Sequence, residues 1–149
     1  MSLITFKIIT PERIVYEASA KEIVLPTEQG EIAVLPHHIP LVSLLKAGVV
    51  RVKTENNDEE IMAVSSGIIE VNGMNLTVLA DTAERADELE EEKIEQARVA
   101  AEKLMTERRH DDVGFADATA LLERELARIK VARLRRSHGG PRVTPNSQL

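Results

Sequence analysis

Few side chains in this sequence could perform chemistry. It contains no cysteine, which excludes thiolate nucleophiles, disulfides and zinc–thiolate sites. The G-x-S-x-G turn that positions a serine nucleophile is absent, since Ser65-Ser66-Gly67 lacks the leading glycine. Neither a P-loop nor a G-x-G-x-x-G phosphate-binding loop occurs. The sequence therefore offers no catalytic residues, and we predict that the chain is not an enzyme.

His37 and His38 form the one pair that suggests a metal site. Adjacent side chains in an extended segment point to opposite faces, so such a pair rarely chelates one ion. The other histidines, His110 and His138, lie far along the chain. We therefore predict no metal site, and a structural or contact role for His38 near its proline-bracketed turn.

Two runs of charge could bind a ligand or a partner. Residues 87–95 are rich in glutamate, and a solvated helix face with i,i+4 ion pairs is a simpler interpretation than cation binding. Basic residues crowd positions 124–136. From charge alone this basic run is a solvated helix end, a nucleic-acid patch or a docking face for an acidic partner.

The rest of the chain argues against nucleic acid. Residues 1–84 carry 12 acidic and 6 basic residues, so this segment accounts for the whole net charge of −6. Phosphate contacts need a basic footprint, and base stacking needs aromatic side chains. Phe6, Tyr16 and Phe115 are the only aromatic residues. We predict no nucleic-acid partner, and a core built from Val, Ile, Leu and Ala.

The first half of the chain has the pattern of β structure. Short runs rich in Val and Ile are separated by Pro, Gly and Asn, and Asn72-Gly73 is a strong hairpin signal because both residues tolerate positive φ. Several short strands at this spacing predict a sandwich or barrel over residues 1–84.

The second half changes to a period near 3.6 residues, typical of helices. We predict an antiparallel helical hairpin over residues 85–136, with a break at 108–110 and a second helix from about Asp112. The expected apolar stripes are Leu89, Lys93, Ile94, Ala97, Ala100, Ala101 and Leu104, then Phe115, Ala118, Thr119, Leu122, Leu126, Ile129 and Ala132 or Arg133. Each alanine contributes about 1 kcal/mol or less on burial, so the hairpin should be held weakly. Residues 137–149 are predicted to be a disordered tail.

From Phe6 to about Arg136 the order of these features resembles the ε subunit of bacterial F-type ATP synthases. The matching stretches are ITPERIVY (9–16), LPTEQGEIAVLPHHIPLV (25–42), an L-x-x-G step (45–48) and SSGIIEVNGMNLTVLADTAERA (65–86), followed by two helices. GEIAVLPHHIPLV is the most specific of these, and in it Ala33 and His37 stand where the family usually has glycine.

The resemblance implies an α+β fold, in which an N-terminal ten-stranded β-sandwich is followed by a C-terminal antiparallel two-helix hairpin. It also implies a non-catalytic place in the rotor, or central stalk, which couples the catalytic head to the c-ring in proton-driven ATP synthesis. The sandwich would contact subunit γ and the c-ring, and Glu31 and His38 match the family's turn that meets the c-ring.

The resemblance further implies a location and a second role. No apolar run approaches the roughly 20 residues of a spanning helix. The resemblance implies a peripheral position on the cytoplasmic side of the bacterial plasma (inner) membrane, held there by the complex. In the family the hairpin either folds on the sandwich or extends along γ, where its basic second helix meets the catalytic β subunit and blocks ATP hydrolysis. The matching residues here are Arg124, Arg128, Lys130 and Arg133.

Some relatives bind ATP through an [IL]-D-x-x-R-A motif at the start of the first helix. Residues 89–94 read L-E-E-E-K-I, so Glu90 and Lys93 are the matching nucleotide-binding candidates. Lysine cannot supply the planar fork of arginine, and Ile94 adds bulk where the motif has alanine. We therefore predict weak or no ATP binding and no cofactor. A regulatory ATP-binding module, an enzyme and a generic protein-binding adaptor are the competing function classes.

Overall fold

A computed structural model describes residues 2–89, 91–107 and 112–137. Within these residues nine strands are followed by a short 3-10 turn, Ala86–Glu88, and two helices. The elements are β1 (Ile4–Ile9), β2 (Ile14–Thr27), β3 (Gly30–Val34), β4 (His38–Leu45), β5 (Gly48–Thr54), β6 (Glu59–Val64), β7 (Gly67–Gly73), β8 (Asn75–Ala80), β9 (Ala83–Arg85), α1 (Glu91–Glu107) and α2 (Asp112–Ser137).

Strand β2 joins the two layers of the sandwich. Its first half pairs antiparallel with β1, and its second half pairs with β3 and β5. One layer therefore follows the order β2-β1-β8-β7-β4, and the other follows β3-β2-β5-β6-β9. Because β2 contributes to both layers, nine strands fill ten strand positions. The predicted class, a β-sandwich followed by two helices, is confirmed.

The core lies between the two layers and is mostly aliphatic. On β1, Ile4, Phe6 and Ile8 are each fully buried, which is the alternation expected when one face of a strand meets a core. Side chains from strands of both layers join them in a single cluster. The rings of Phe6 and Tyr16 add one tilted aromatic contact, with centroids 5.7 Å apart.

The hairpin predicted at Asn72-Gly73 is present between β7 and β8. Asn72 pairs with Asn75, so the two loop residues are Gly73 and Met74, one position later than the turn signal suggests. Gly73 has φ 61°, a left-handed conformation that glycine adopts at little cost.

The helical hairpin lies folded against the sandwich. Helix α2 contacts β5 and β6, and α1 packs on α2. The contact between helices and sheet is a second apolar cluster, separate from the sandwich core; its buried members are Val49, Ala63, Leu89, Ile94, Ile129, Val131 and Ala132. We call this the helix–sheet cluster.

The predicted apolar stripe of α2 is only partly right. Ala118 and Ile129 are buried as expected, but Leu126 is 49% exposed, while Glu125 and Val131 are completely buried. Helix α2 has two neighbours, α1 and the sheet, so its buried surface is wider than one stripe and is rotated towards Glu125. The predicted break at 108–110 and the tail after Ser137 lie outside the described residues.

Candidate partner-binding sites

The two residues predicted to meet the c-ring lie on β3 and at the start of β4. Glu31 is exposed on β3, and its carboxylate lies 3.5 Å from Nη1 of Arg51. His38 opens β4 and is half-buried, with Nδ1 2.7 Å from the carbonyl oxygen of Ile39. Ile39 itself is 75% exposed, so an apolar side chain stands next to the imidazole. The predicted role of both residues is not tested by these positions.

His37 has a backbone conformation that favours glycine. Its φ is 66°, the left-handed region that a side chain disfavours by about 1–2 kcal/mol. The imidazole is exposed, and its Nε2 lies 3.3 Å from the hydroxyl of Ser2. Among the described residues no group of three His, Asp or Glu side chains is arranged to hold a metal ion.

The serines that lack a nucleophile motif have structural roles. Ser65 is buried, and its hydroxyl accepts a 2.8 Å hydrogen bond from the backbone N–H of Thr82. Ser66 donates to the carboxylate of Asp81 at 3.2 Å. Both bonds tie the start of β7 to the segment after β8.

An apolar surface on β4, β7 and β8 was missed in the sequence. Val42, Leu44, Ile68 and Leu79 are each exposed by 46% or more. Leu44 pairs with Ile68, and Ile68 pairs with Leu79, so their side chains are direct neighbours across three strands. We call these four residues the outer apolar patch. A contiguous exposed apolar patch of this kind is a candidate interaction site.

A sequence signal for the outer apolar patch existed. A strand with one solvated face should alternate apolar and polar residues. Strand β4 instead has Leu41-Val42 and Leu44-Leu45, and β7 has Ile68-Ile69. Each doublet places one apolar side chain in the core and its neighbour on the outside. Doublets that break the alternation are therefore the feature that would have indicated a second apolar face.

The basic residues of α2 do not form one surface. Arg128 is half-buried and makes a bidentate contact with Glu84 of β9, through Nε and through Nη2 at 3.1 Å. Its Nη1 donates to Oε2 of Glu125 at 2.7 Å, and the other oxygen of Glu125 accepts from Nη2 of Arg124 at 3.1 Å. Lys130 and Arg133 are exposed.

Electrostatics hold Arg128 in this position. Burial alone would lower the pKa of the guanidinium, but the charges and hydrogen bonds of Glu84 and Glu125 outweigh burial and raise its pKa. Glu125 is completely buried, and a buried carboxylate is stable only when it is paired. Arg124 and Arg128 supply that pairing from within α2, and Arg128 also joins the hairpin to the sandwich through Glu84.

The candidate nucleotide residues fall near the start of α1. Glu90 lies outside the described residues, and Lys93 is exposed on α1. Ile94, which replaces the motif's alanine, is completely buried in the helix–sheet cluster. Its bulk is therefore used for packing, and the predicted weakness of ATP binding stays a prediction.

The junction between sandwich and hairpin is held by two arginines. Arg13 donates to Glu88 at 2.7 Å, and Arg135 of α2 donates to the carbonyl oxygen of Ala86 at 3.1 Å. Burial alone would raise the pKa of Glu88, but hydrogen bonds from the Arg85 backbone and from Arg13 outweigh it and lower the pKa.

Neither α1 nor α2, as far as they are described, is long and apolar enough to span a membrane.

These features define a class of protein. A β-sandwich with an exposed apolar face carries a helical hairpin that is fastened to it by a separate aliphatic cluster and by the Arg128–Glu84 ion pair. Such a protein acts through surfaces that other chains can cover.

Comparison with known proteins gives the family. Residues 3–86 match the profile of the ATP synthase delta/epsilon chain β-sandwich domain. The ATP synthase epsilon chain of Moorella thermoacetica is 42% identical over 132 residues, which cover 89% of this chain and 98% of that one. The epsilon chain 2 of Ralstonia nicotianae is also 42% identical, over 91% of this chain and 99% of the relative.

A solved structure supports the fold. A chain in the cryo-EM structure of the Euglena gracilis mitochondrial ATP synthase, OSCP/F1/c-ring in rotational state 1, aligns with a TM-score of 0.74 at 20% identity, covering 90% of this chain and 82% of that one. The protein belongs to the family of ATP synthase epsilon chains. The chain is thus a non-catalytic subunit of an ATP synthase and not an enzyme in its own right.

Proposed function

We propose that this chain is a central-stalk subunit that couples the catalytic head to the c-ring in proton-driven ATP synthesis and that its hairpin restrains ATP hydrolysis. The observation that carries the proposal is the contrast between a firmly packed sandwich with an uncovered outer apolar patch and a hairpin held by a small cluster and ion pairs. The sandwich and its outer apolar patch suit permanent binding in a complex, and the weakly held hairpin suits a part that moves.

The outer apolar patch is the proposed seat on subunit γ. Burying a large aliphatic side chain contributes about 1.5–3 kcal/mol, and Leu44, Ile68 and Leu79 offer three such side chains in register. Replacing Leu44 and Ile68 together by Asp and Lys should prevent co-purification with γ while leaving the chain folded. Normal recovery of γ with that variant would contradict the seat. The matched control is Val99→Asp, an equally exposed apolar residue on α1.

Glu31 and His38 are the proposed contacts to the c-ring loops. The protein has no cysteine, so Glu31→Cys and His38→Cys each create a unique cross-linking position. We expect both to cross-link to subunit c in solubilised membranes, whereas Lys53→Cys, exposed on β5, should not. Equal cross-linking from all three positions would remove the assignment. We also propose that the chain lies on the cytoplasmic side of the bacterial inner membrane, and cross-linking to subunit c tests its attachment to the membrane through the complex.

The hairpin is the proposed brake on hydrolysis. A chain that ends at Ala86 keeps every strand of the sandwich, so it should assemble and support proton coupling while ATP hydrolysis rises. Membranes that hydrolyse ATP at the same rate with the full and the shortened chain would contradict the brake.

The basic residues of α2 are proposed to meet an acidic segment of the catalytic β subunit. Lys130 and Arg133 are exposed, so reversing both charges should leave the fold intact and relieve inhibition. Because surface attraction is screened by salt, the relief should shrink as ionic strength rises. Lys103→Glu on α1 is the matched control. Reversal of Arg124 and Arg128 should also relieve inhibition, but those variants additionally remove contacts within the chain.

ATP is proposed to bind weakly or not at all. A titration of the purified chain with labelled ATP should show no saturation at micromolar concentration. A variant with Glu90→Asp, Lys93→Arg and Ile94→Ala restores the relatives' motif and is the positive comparison. Micromolar saturation by the unaltered chain would favour a regulatory ATP-binding module instead.

A further inference from the structure

Arg128 links two parts of the molecule that are distant in sequence. Its guanidinium is bound on one side by Glu84 of β9 and on the other by Glu125 of its own helix. Its side chain is 21% exposed, and that of Glu84 is 33% exposed. Water and other charged groups can therefore reach the Arg128–Glu84 side of the contact, whereas Glu125 is closed off.

The two carboxylates would behave differently if the hairpin left the sandwich. Glu125 is three residues from Arg128 on α2 and would travel with it. Glu84 belongs to β9, which pairs with β6, and would stay behind. Detachment would therefore break the Glu84 bonds, leave the Glu125 bond in place and expose an arginine that has lost half of its negative partners.

We propose that Glu84 is an internal competitor for Arg128, so that this cation is free to meet an acidic surface on a partner only after the strand has released it. This latch rests on the proposed inhibitory function for its consequence, but not for its existence. The bidentate geometry supports it, because arginine binds one carboxylate fork at a time through the same pair of N–H groups. A carboxylate on an acidic partner would need the same N–H groups of Arg128 that Glu84 occupies.

The position of the hairpin in the isolated full-length chain tests the latch directly. Ser66 on the sandwich and Ala120 on α2 line one cleft of about 290 Å³ between the two parts. The protein has neither tryptophan nor cysteine. Ser66→Trp and a bimane label on Ala120→Cys therefore give a unique short-range quenching pair, which is quenched when the hairpin is docked and bright when it is detached.

Glu84→Gln is the test variant in this labelled background. We expect it to raise the ratio of detached to docked hairpin by about two- to fivefold, the range for loss of one partly exposed ion pair. Glu17→Gln is the matched control, because Glu17 also forms an ion pair, with Lys7 at 3.2 Å, but within the sandwich. Unchanged quenching in Glu84→Gln, with its fold intact by circular dichroism, would overturn the latch.

A second measurement separates the latch from the function on which its consequence rests. In reconstituted synthase, Glu84→Gln should inhibit ATP hydrolysis more strongly than the unaltered chain, while Glu17→Gln should not. More detachment in the isolated chain with unchanged hydrolysis would support the latch and contradict the proposed brake. Unchanged detachment would overturn the latch whatever the hydrolysis rate.

Discussion

The sandwich and the helical hairpin are both packed on apolar side chains, but they are held in different ways. The sandwich core draws large side chains such as Phe6, Ile23 and Leu76 from both layers, all completely buried. The helix–sheet cluster is smaller, and among the described residues of β5 and β6 it takes two buried side chains, Val49 and Ala63. Because burial free energy scales with apolar area, the sandwich should be far more stable than the attachment of the hairpin.

The two regions also differ in the kind of polar contact that holds them. The layers of the sandwich are joined by backbone pairing along β2, which no other protein can easily replace. The hairpin is joined to the sandwich by the ion pair of Arg128 with Glu84 and by the Arg135 bond to Ala86. A charged surface on another chain can substitute for ion pairs. The comparison teaches that the sandwich is the scaffold and that the hairpin is the exchangeable part.

The largest effect should come from the sandwich core. Ile23→Ala removes a completely buried side chain from β2, and such truncations cost about 2–5 kcal/mol. Urea unfolding followed by the fluorescence of Tyr16, the only tyrosine, should shift by that amount. Val99→Ala, on an exposed position of α1, is the control and should leave the Tyr16 transition unchanged.

A smaller effect should come from the helix–sheet cluster. Ile129 is 5% exposed in that cluster, and Ile129→Ala should detach the hairpin at a cost of about 2–3 kcal/mol. Circular dichroism at the helix band should then show an earlier transition, while Tyr16 fluorescence keeps its original midpoint. If both probes shifted together, the two regions would unfold as one unit and the comparison would fail.

Alkaline titration sharpens the description of the sandwich. Burial, with the negative charge of Glu60 as a further cause, raises the pKa of Tyr16 to about 12 from 10.0. A raised folded pKa means that the neutral phenol is favoured in the native state, so this contribution to stability is complete below pH 10.0 and is lost as the pH rises through about 12. Absorbance of the tyrosinate should report the shift, and a chain ending at Ala86 should titrate in the same way.

The smallest effect should come from the junction. The pKa of Glu88 is lowered in the folded chain, so its contribution to stability is present above the ordinary value of 4.5 and is lost as pH falls through the folded pKa. Glu88→Gln should therefore flatten the acid side of the stability profile slightly, because the contact with Arg13 is exposed and screened. A profile that matches the unaltered chain between pH 3 and 5 would show that the pair contributes nothing.

Local chemistry was enough to predict the elements. The Val- and Ile-rich runs, the Asn72-Gly73 turn and the change of period after residue 84 depend on neighbours within a few residues, and the strands and helices follow them. The absence of a serine nucleophile motif agrees with Ser65, whose hydroxyl is bound to Thr82. Glu31, His38 and the four basic residues could be named only through a resemblance, and their roles stay predictions.

Long-range pairing decided the rest. β1 runs parallel to β8, with Phe6 beside Leu76, and Glu84 meets Arg128 across 44 positions of sequence. The burial of Glu125 and the exposure of Leu126 depend on which side of α2 meets the sheet. Hydrophobic periodicity cannot contain this information, because it describes one element at a time and the partner that covers a face is supplied only when the chain folds.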